Sequence, residues 1–155
     1  MTVSVQRHDF DPAREAALLT AGRHDIGALV TFTGLVRDMA DGMGVSHMTL
    51  EHYPGMTERM LEKIEAEACA RWPLDATRIL HRHGRLAAGE RIVFVATASA
   101  HRQAAFEACA FLVDWLKSKA PFWKLEEGEA GAGWVAAKAA DDAAAEKWAP
   151  EDRRT

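Results

Sequence analysis

The sequence predicts an α+β domain, a mostly antiparallel sheet with packed helices, and three observations predict it. Several apolar, β-branched runs are joined by short turns, amphipathic periods mark long helices between them, and the order lacks the regular βαβ repeat of a parallel sheet. The 155 residues suit one domain with a real core, expected over residues 1–140 and followed by a charged, Ala-rich C-terminal tail over 141–155.

Val3 to Arg7 alternates and is expected as an edge strand. Asp11 before Pro12 reads as an N-cap with proline at the first helical position, and Gly22 as the stop of that short helix. Gly27 to Arg37, GALVTFTGLVR, is rich in β-branched and apolar residues, the mark of a largely buried strand. DMADGMGVSH is expected to be a mobile loop, and MTLEHY returns as the next strand. Leu61, Ile64, Ala68 and Trp72 recur at steps of three and four, one face of an amphipathic helix with Thr57 as its N-cap. TRILHRHG and ERIVFVATAS read as two strands joined by a turn around Leu86 to Gly89. A long helix spans about Arg102 to Lys119 and stops before Pro121. PFWKLEE and GWVAA form a closing hairpin around Gly128 to Gly133, and AADDAAAEKWAPEDRRT reads as a marginal helix with a frayed end.

A net charge of −4 argues against a general nucleic-acid binder, which would show a basic surplus. No apolar run of about 18 residues is present, and MTVSVQRHDFD lacks the apolar segment of a signal peptide. A cytoplasmic protein without membrane contact is expected. Cys69 and Cys109 have no CxxC or metal-type spacing, so both are expected as free thiols and neither as a sulfur nucleophile. His81 and His83 share a strand face but have no further ligands in view, so no metal is expected. Neither GxGxxG nor GxxxxGK[ST] occurs.

The stretch KSKAPFWKLE concentrates three lysines in an acidic chain. On a helical wheel with Phe106 at zero, Cys109, Ala110, Val113 and Leu116 cluster within roughly 80° of that direction and are expected to be the core stripe. Lys117 falls at about 20°, on the stripe, and Lys119 at about 220°, on the far side. A lysine on such a stripe either packs its stem and sends the ammonium to water, or sits in a cleft as base, nucleophile or anion clamp. Read as a strand, PFWKLEE puts Phe122 and Lys124 on one face and Trp123 and Leu125 on the other. An anion would relieve the repulsion of Lys117 and Lys124 in a shared cleft.

His101 and Arg102 fall in the first turn of the long helix, where free N–H groups attract anions, and so hint at a phosphate or carboxylate site. Solvated side chains are the plain alternative. Arg37 ends a strand at the mouth of the expected loop and either faces a ligand or reaches solvent.

VTFTGLVRD, LEHYPGMTE, RWPL, HRHGRL, GERIVFVATASAHRQAAFEACAFLVDWLK and APFWKLE occur in an order and spacing that closely resembles the catalytic (large) subunit family of molybdopterin synthase. The resemblance covers about Asp25 to Trp134. It implies a sulfurtransferase of molybdenum cofactor biosynthesis that converts cyclic pyranopterin monophosphate (precursor Z) into molybdopterin. The implied sulfur donor is a thiocarboxylate at the C-terminal glycine of a small ubiquitin-like subunit. The implied assembly is a homodimer of large subunits within a heterotetramer, and no cofactor or metal is implied, because the metal enters later. Carried over by resemblance, the lysine pair is Lys117 and Lys124, the pterin- and phosphate-binding arginine is Arg37, and the His-Arg pair is His101 and Arg102. Leu35, Val36, Leu125 and Glu126 flank them as further substrate-binding positions. Leu35 and Leu125 depart from the family, in which basic residues are frequent at both places.

His101 and Arg102 begin the long helix and Lys117 ends it roughly 22 Å away, too far for one small substrate to touch both ends. Each site is therefore expected to combine Lys117, Lys124 and Arg37 of one subunit with His101 and Arg102 of its dimer mate. The rival expectation is a non-catalytic module that binds an anion or a protein tail through the same cations and through Phe32, Phe122 and Trp123.

Overall fold

The computed structural model describes residues 2–40, 42–129, 131–135 and 139–149. Ala136 and Ala137 of the expected hairpin and residues 150–155 of the expected tail lie outside them. The strands form two sheets. In the first, β1 (Val3–Gln6), β5 (Ala76–Arg82), β7 (Arg91–Ser99) and β2 (Ala28–Leu35) lie in the order β1-β5-β7-β2. Only the β1–β5 pair is parallel. In the second, β4 (Met43–His52) pairs β8 (Phe122–Gly128), which pairs β9 (Gly131–Val135), while β3 (Met39–Ala40) and β6 (Gly84–Ala87) also pair β4. The chain is thus α+β with antiparallel pairing dominant.

Alternation along the central strands sorts the core. Val93 and Val95 of β7 and Ile79 of β5 face α2 (Met56–Arg71) and α3 (Arg102–Ser118), meeting Leu61, Ile64, Ala68, Cys109, Phe111 and Leu112. Phe94, Ala96 and Leu80 point to the other face, where α1 (Pro12–Thr20) covers them with Ala16 and Leu19. Burying such aliphatic side chains contributes about 1.5–3 kcal/mol each before entropy is counted. A third cluster, Val36, Leu50 and Leu86 with Met48, Ile92 and Phe122, joins the two sheets.

Most elements follow the sequence expectation, and the departures have physical reasons. Asp11 caps α1, its Oδ1 accepting from the backbone N–H of Ala13 at 3.0 Å and of Arg14 at 3.3 Å. β2 is half-buried rather than largely buried, because it is an edge of its sheet and Gly34 is its one buried residue. The expected loop at DMADGMGVSH folds back as the β3–β4 hairpin, turned by Gly42 at φ 78°. The second sheet captures β6, which the sequence reading took as part of a turn.

Thr57 is inside α2 and not its cap. Gly55, at φ 84°, holds the N-cap position, and Glu58 accepts its N–H at 2.6 Å. The Thr57 hydroxyl donates to the Tyr53 carbonyl at 2.8 Å.

The buried face of α3 is rotated from the expected phase: Cys109 is buried and Val113 and Leu116 pack partly buried against the core as expected, but the Phe106 direction is open. Phe106 is 61% exposed and Ala110 is exposed, while Ala104, Ala105, Ala108, Cys109, Phe111 and Leu112 are buried. Alanines let the helix approach β7 closely, close enough for the Thr97 hydroxyl to donate to the Ala105 carbonyl at 2.6 Å. Lys117 therefore lies on the open side of the helix, close to the Phe106 direction, and not on the core stripe. The Ala-rich segment forms α4 (Ala139–Glu146), and the following Trp148 docks on α3, its indole N–H donating to Asp114 at 2.7 Å. Trp148 also meets Trp72 and Phe111 edge-on.

Candidate active site

A cavity of about 330 Å³ opens where the C-terminal end of α3 meets the two sheets. Three elements bring cations to it: Arg37 after β2, Lys117 in the last turn of α3, and Lys124 on β8. The placement of each has a local cause.

Val36 is 2% exposed, locked between Leu50 and Leu86, and its N–H donates to the Glu90 carbonyl at 2.9 Å. With Val36 held inward, its neighbours Leu35 and Arg37 are turned to the cavity. On α3, the Lys119 N–H still closes onto the Trp115 carbonyl at 2.8 Å, so Lys117 stands in a complete last turn, where a cation is favoured by the helix dipole. Pro121 then turns the chain into β8. Opposite residues in the β4–β8 register are Phe122 with His52, Lys124 with Leu50 and Glu126 with Met48, which gives these six one face. Trp123 and Leu125 take the other face, as alternation predicts, and Trp123 packs edge-on against Tyr53.

Of the residues named from sequence, Leu35, Arg37, Lys117, Lys124 and Glu126 line the cavity. Val36 is sealed in the core beside it, and Leu125 faces away. His101 and Arg102 are exposed at the opposite end of α3, His101 as N-cap without a side-chain capping bond and Arg102 as the first helical residue. Lys119 is exposed and outside the lining. Phe32 and Phe122 form apolar wall, whereas Trp123 does not reach it.

Two titratable lining residues fall outside the positions expected from the sequence. Asp141 arrives from α4, in a stretch whose composition signals only solubility. His81 was weighed only as a metal ligand, yet it forms cavity wall, stacked on Phe122 with ring centroids 3.8 Å apart and planes at 16°. The alternation of HRH on a strand was the available signal. Burial pushes the His81 imidazole down to about 3, the positive charges of Lys124, Lys117 and His52 push the same way, and only its bond to the Arg82 carbonyl opposes them.

The cavity combines three cations and two carboxylates, Glu126 and Asp141, with a wall of Phe32, Phe122, Ile92 and Leu116, an arrangement of net positive charge suited to a flat, anionic organic molecule. Neither cysteine lines the cavity, and desolvation pushes Cys109 up to about 11 and raises Cys69, which disfavours the thiolate at either sulfur. Among the described residues no group of three or more His, Cys, Asp or Glu side chains could hold a metal.

Comparison with known proteins gives the family of the chain. The chain is 56% identical over 148 residues to the molybdopterin synthase catalytic subunit of Pseudomonas aeruginosa, spanning 96% of this chain and 99% of that one. Its fold superimposes on the molybdopterin biosynthesis MoaE protein of Burkholderia ambifaria with a TM-score of 0.82 at 50% identity, covering 97% and 99% of the two chains. For the molybdopterin synthase of Staphylococcus aureus the values are 0.78 and 30%, with 85% of this chain and 95% of that chain covered. The family model described as MoaE protein matches residues 5–119, and with relatives this similar along nearly their whole length the chain belongs to the MoaE family.

Proposed function

We infer that this chain is the catalytic subunit of a molybdopterin synthase, a sulfurtransferase of molybdenum cofactor biosynthesis. It moves sulfur from the thiocarboxylated C-terminus of a small ubiquitin-like subunit to precursor Z, forming the dithiolene of molybdopterin. The observation that carries the reading is the convergence of Arg37, Lys117 and Lys124 on one apolar-walled cavity in a chain with such close synthase relatives. Precursor Z bears a phosphate and the donor a thiocarboxylate, so both reactants are anions that a cluster of cations around one cavity attracts. Arg37 binds the pterin and its phosphate. Lys117 and Lys124 orient the thiocarboxylate and move protons as sulfur replaces oxygen, and charge developing on the displaced oxygen is met by an ammonium already in place.

His101 and Arg102 complete the phosphate site from the dimer mate. Their separation from Lys117 by roughly 22 Å of helix supports this shared arrangement. Within the heterotetramer the small subunit's tail enters the cavity, and the assembly works in the cytoplasm; among the described residues no helix is long and apolar enough to cross a membrane.

Incubating the chain with precursor Z and a thiocarboxylated ubiquitin-like partner ending in Gly-Gly should yield molybdopterin; absence of product would overturn the assignment. Mixing a Lys117→Ala chain with an Arg102→Ala chain should restore activity, because one of the heterodimer's two sites keeps both intact halves. No recovery in confirmed heterodimers would refute the shared site.

A further inference from the structure

Arg37 is held in place by its neighbours. Among the described residues it makes no hydrogen bond or ion pair of its own, so the backbone on either side decides where its guanidinium meets the cavity. On one side the Asp38 carbonyl accepts the N–H of Val45 on β4 at 2.7 Å. On the other, the turn between β6 and β7 grips Val36. The Val36 N–H donates to the Glu90 carbonyl at 2.9 Å, and the Val36 carbonyl accepts the Gly89 N–H at 2.7 Å. The ladder of β2 to β7 ends at Leu35, past an irregularity at Gly34/Leu35. These two bonds therefore carry the chain from β2 to Arg37.

One side chain closes that turn. The Glu90 N–H donates to the Ala87 carbonyl at 3.0 Å, and Glu90 Oε2 accepts the Ala87 N–H at 2.5 Å. The other carboxylate oxygen, Oε1, lies 3.7 Å from Nη1 of Arg82. Arg82 is itself fixed: it is 6% exposed, and its Nε and Nη1 donate to the Arg7 and Arg91 carbonyls at 3.0 Å each. A guanidinium that deep keeps its charge and needs carboxylates near it, and Asp9, at 3.8 Å, is the second. The ion pair with Arg82 contributes little by itself, because the Glu90 side chain is 43% exposed; the turn depends on the bond to a backbone N–H. Glu90 does not line the cavity. We propose that Glu90 is a positioning residue of the candidate active site. Its carboxylate braces the turn, the turn fixes Val36, and Val36 sets the direction in which Arg37 meets the anionic substrate. The kinetic half of the proposal rests on the reading of Arg37 given above; the brace does not.

Amide hydrogen exchange of the full chain tests the brace without turnover. In Glu90→Ala the Val36 and Gly89 amides should exchange about 10-fold faster or more, while Val95, in the buried middle of β7, keeps its rate. Equal acceleration at all three would mean that the whole fold loosens and would overturn the proposal, as would unchanged exchange at Val36. Glu90→Gln keeps an amide oxygen for the Ala87 N–H and should exchange close to wild type; a Gln variant as fast as the Ala variant would remove the bond from the account. Turnover tests the consequence. Glu90→Ala should raise KM for precursor Z about 10-fold with kcat within about 3-fold, and Glu90→Gln should recover most of that loss. In an Arg37→Ala background, Glu90→Ala should raise KM no further, because the residue it positions is gone. Losses that multiply in the double variant would show that Glu90 does not act through Arg37, and the proposal would fall. If the wild-type chain makes no molybdopterin, the functional reading fails while hydrogen exchange still decides the brace.

Discussion

The two ends of α3 hold cations in opposite circumstances. At the C-terminal end, Lys117 lines a cavity with Arg37 and Lys124 and is favoured by the negative pole of the helix that carries it. At the N-terminal end, His101 and Arg102 stand exposed, with no acidic residue in the first turn and with the positive pole of the helix beneath them. Local energetics explain the first cation and oppose the second pair. A phosphate delivered to the N-terminal end by a neighbouring copy would reverse that opposition, since exposed N–H groups and basic side chains then act on one anion. In the proposed shared site the helix, clamped between α2, α4 and the first sheet, is the spacer between two halves of different sites.

The largest effect expected from this contrast is at the cavity end. Lys117→Ala should lower kcat by roughly 10²- to 10⁴-fold, the range for loss of a positioned proton-transfer group, without unfolding the protein, because the side chain is exposed and outside the core clusters. Turnover near wild type with thiocarboxylated partner would remove Lys117 from the chemistry. At the other end Arg102→Ala should act mainly on binding, raising KM for precursor Z by roughly 10-fold or more through the lost charge-assisted bond. If kcat fell and KM held, Arg102 would belong with the reacting groups and the contrast between the two ends would be misdrawn.

Acid should separate the ends further, because only the cavity end rests on a buried imidazole. His81 ordinarily titrates near 6.5 and is held at about 3 when folded, so between those values the unfolded chain binds the extra proton. Stability is then complete above about 6.5 and falls as the pH is lowered toward 3. Burial lowers His83 as well, which adds in the same direction. Carboxylates such as Asp9 and Glu127, held low by arginine partners, contribute their loss mainly below their ordinary values of 3.8 and 4.5. Urea unfolding between pH 6.5 and 4.5 therefore reports the histidines, and His81→Phe should flatten that part of the curve. An unchanged slope would mean that His81 is charged in the fold.

Strand alternation carried most of what was legible in the sequence, and helix phase was its weak point. PFWKLEE sorts Lys124 and Phe122 from Trp123 and Leu125 because a strand has only two faces. In α3, FEACAFLVDWLK is apolar nearly all round, so several phases satisfy the periodicity and the large Phe106 draws the choice to the wrong side. The true face is set by how closely Ala104, Ala105 and Ala108 allow the helix to approach β7, a tertiary constraint that local spacing does not express. Lys117 was thus selected with a mistaken phase, while the family resemblance selected it independently. The apolar run of β2 likewise reported composition and not position in the sheet, since an edge strand keeps such residues half-exposed. In the β3–β4 turn, Asp-Gly was a hairpin signal that the length of the polar stretch concealed.

The smallest effect expected is at Lys119, two residues from the largest. Its side chain is exposed and outside the cavity, and its bond from the backbone N–H to the Trp115 carbonyl at 2.8 Å survives substitution. Lys119→Ala removes at most a few tenths of a kcal/mol of favourable interaction with the helix terminus. Stability should stay within about 0.5 kcal/mol of wild type and kcat within about 2-fold. Because net charge changes equally in Lys117→Ala and Lys119→Ala, the pair separates position from electrostatics in general. Equal losses would mean that any cation at this end of α3 draws the anionic reactants in; a loss confined to Lys117 means that the ammonium must stand inside the cavity.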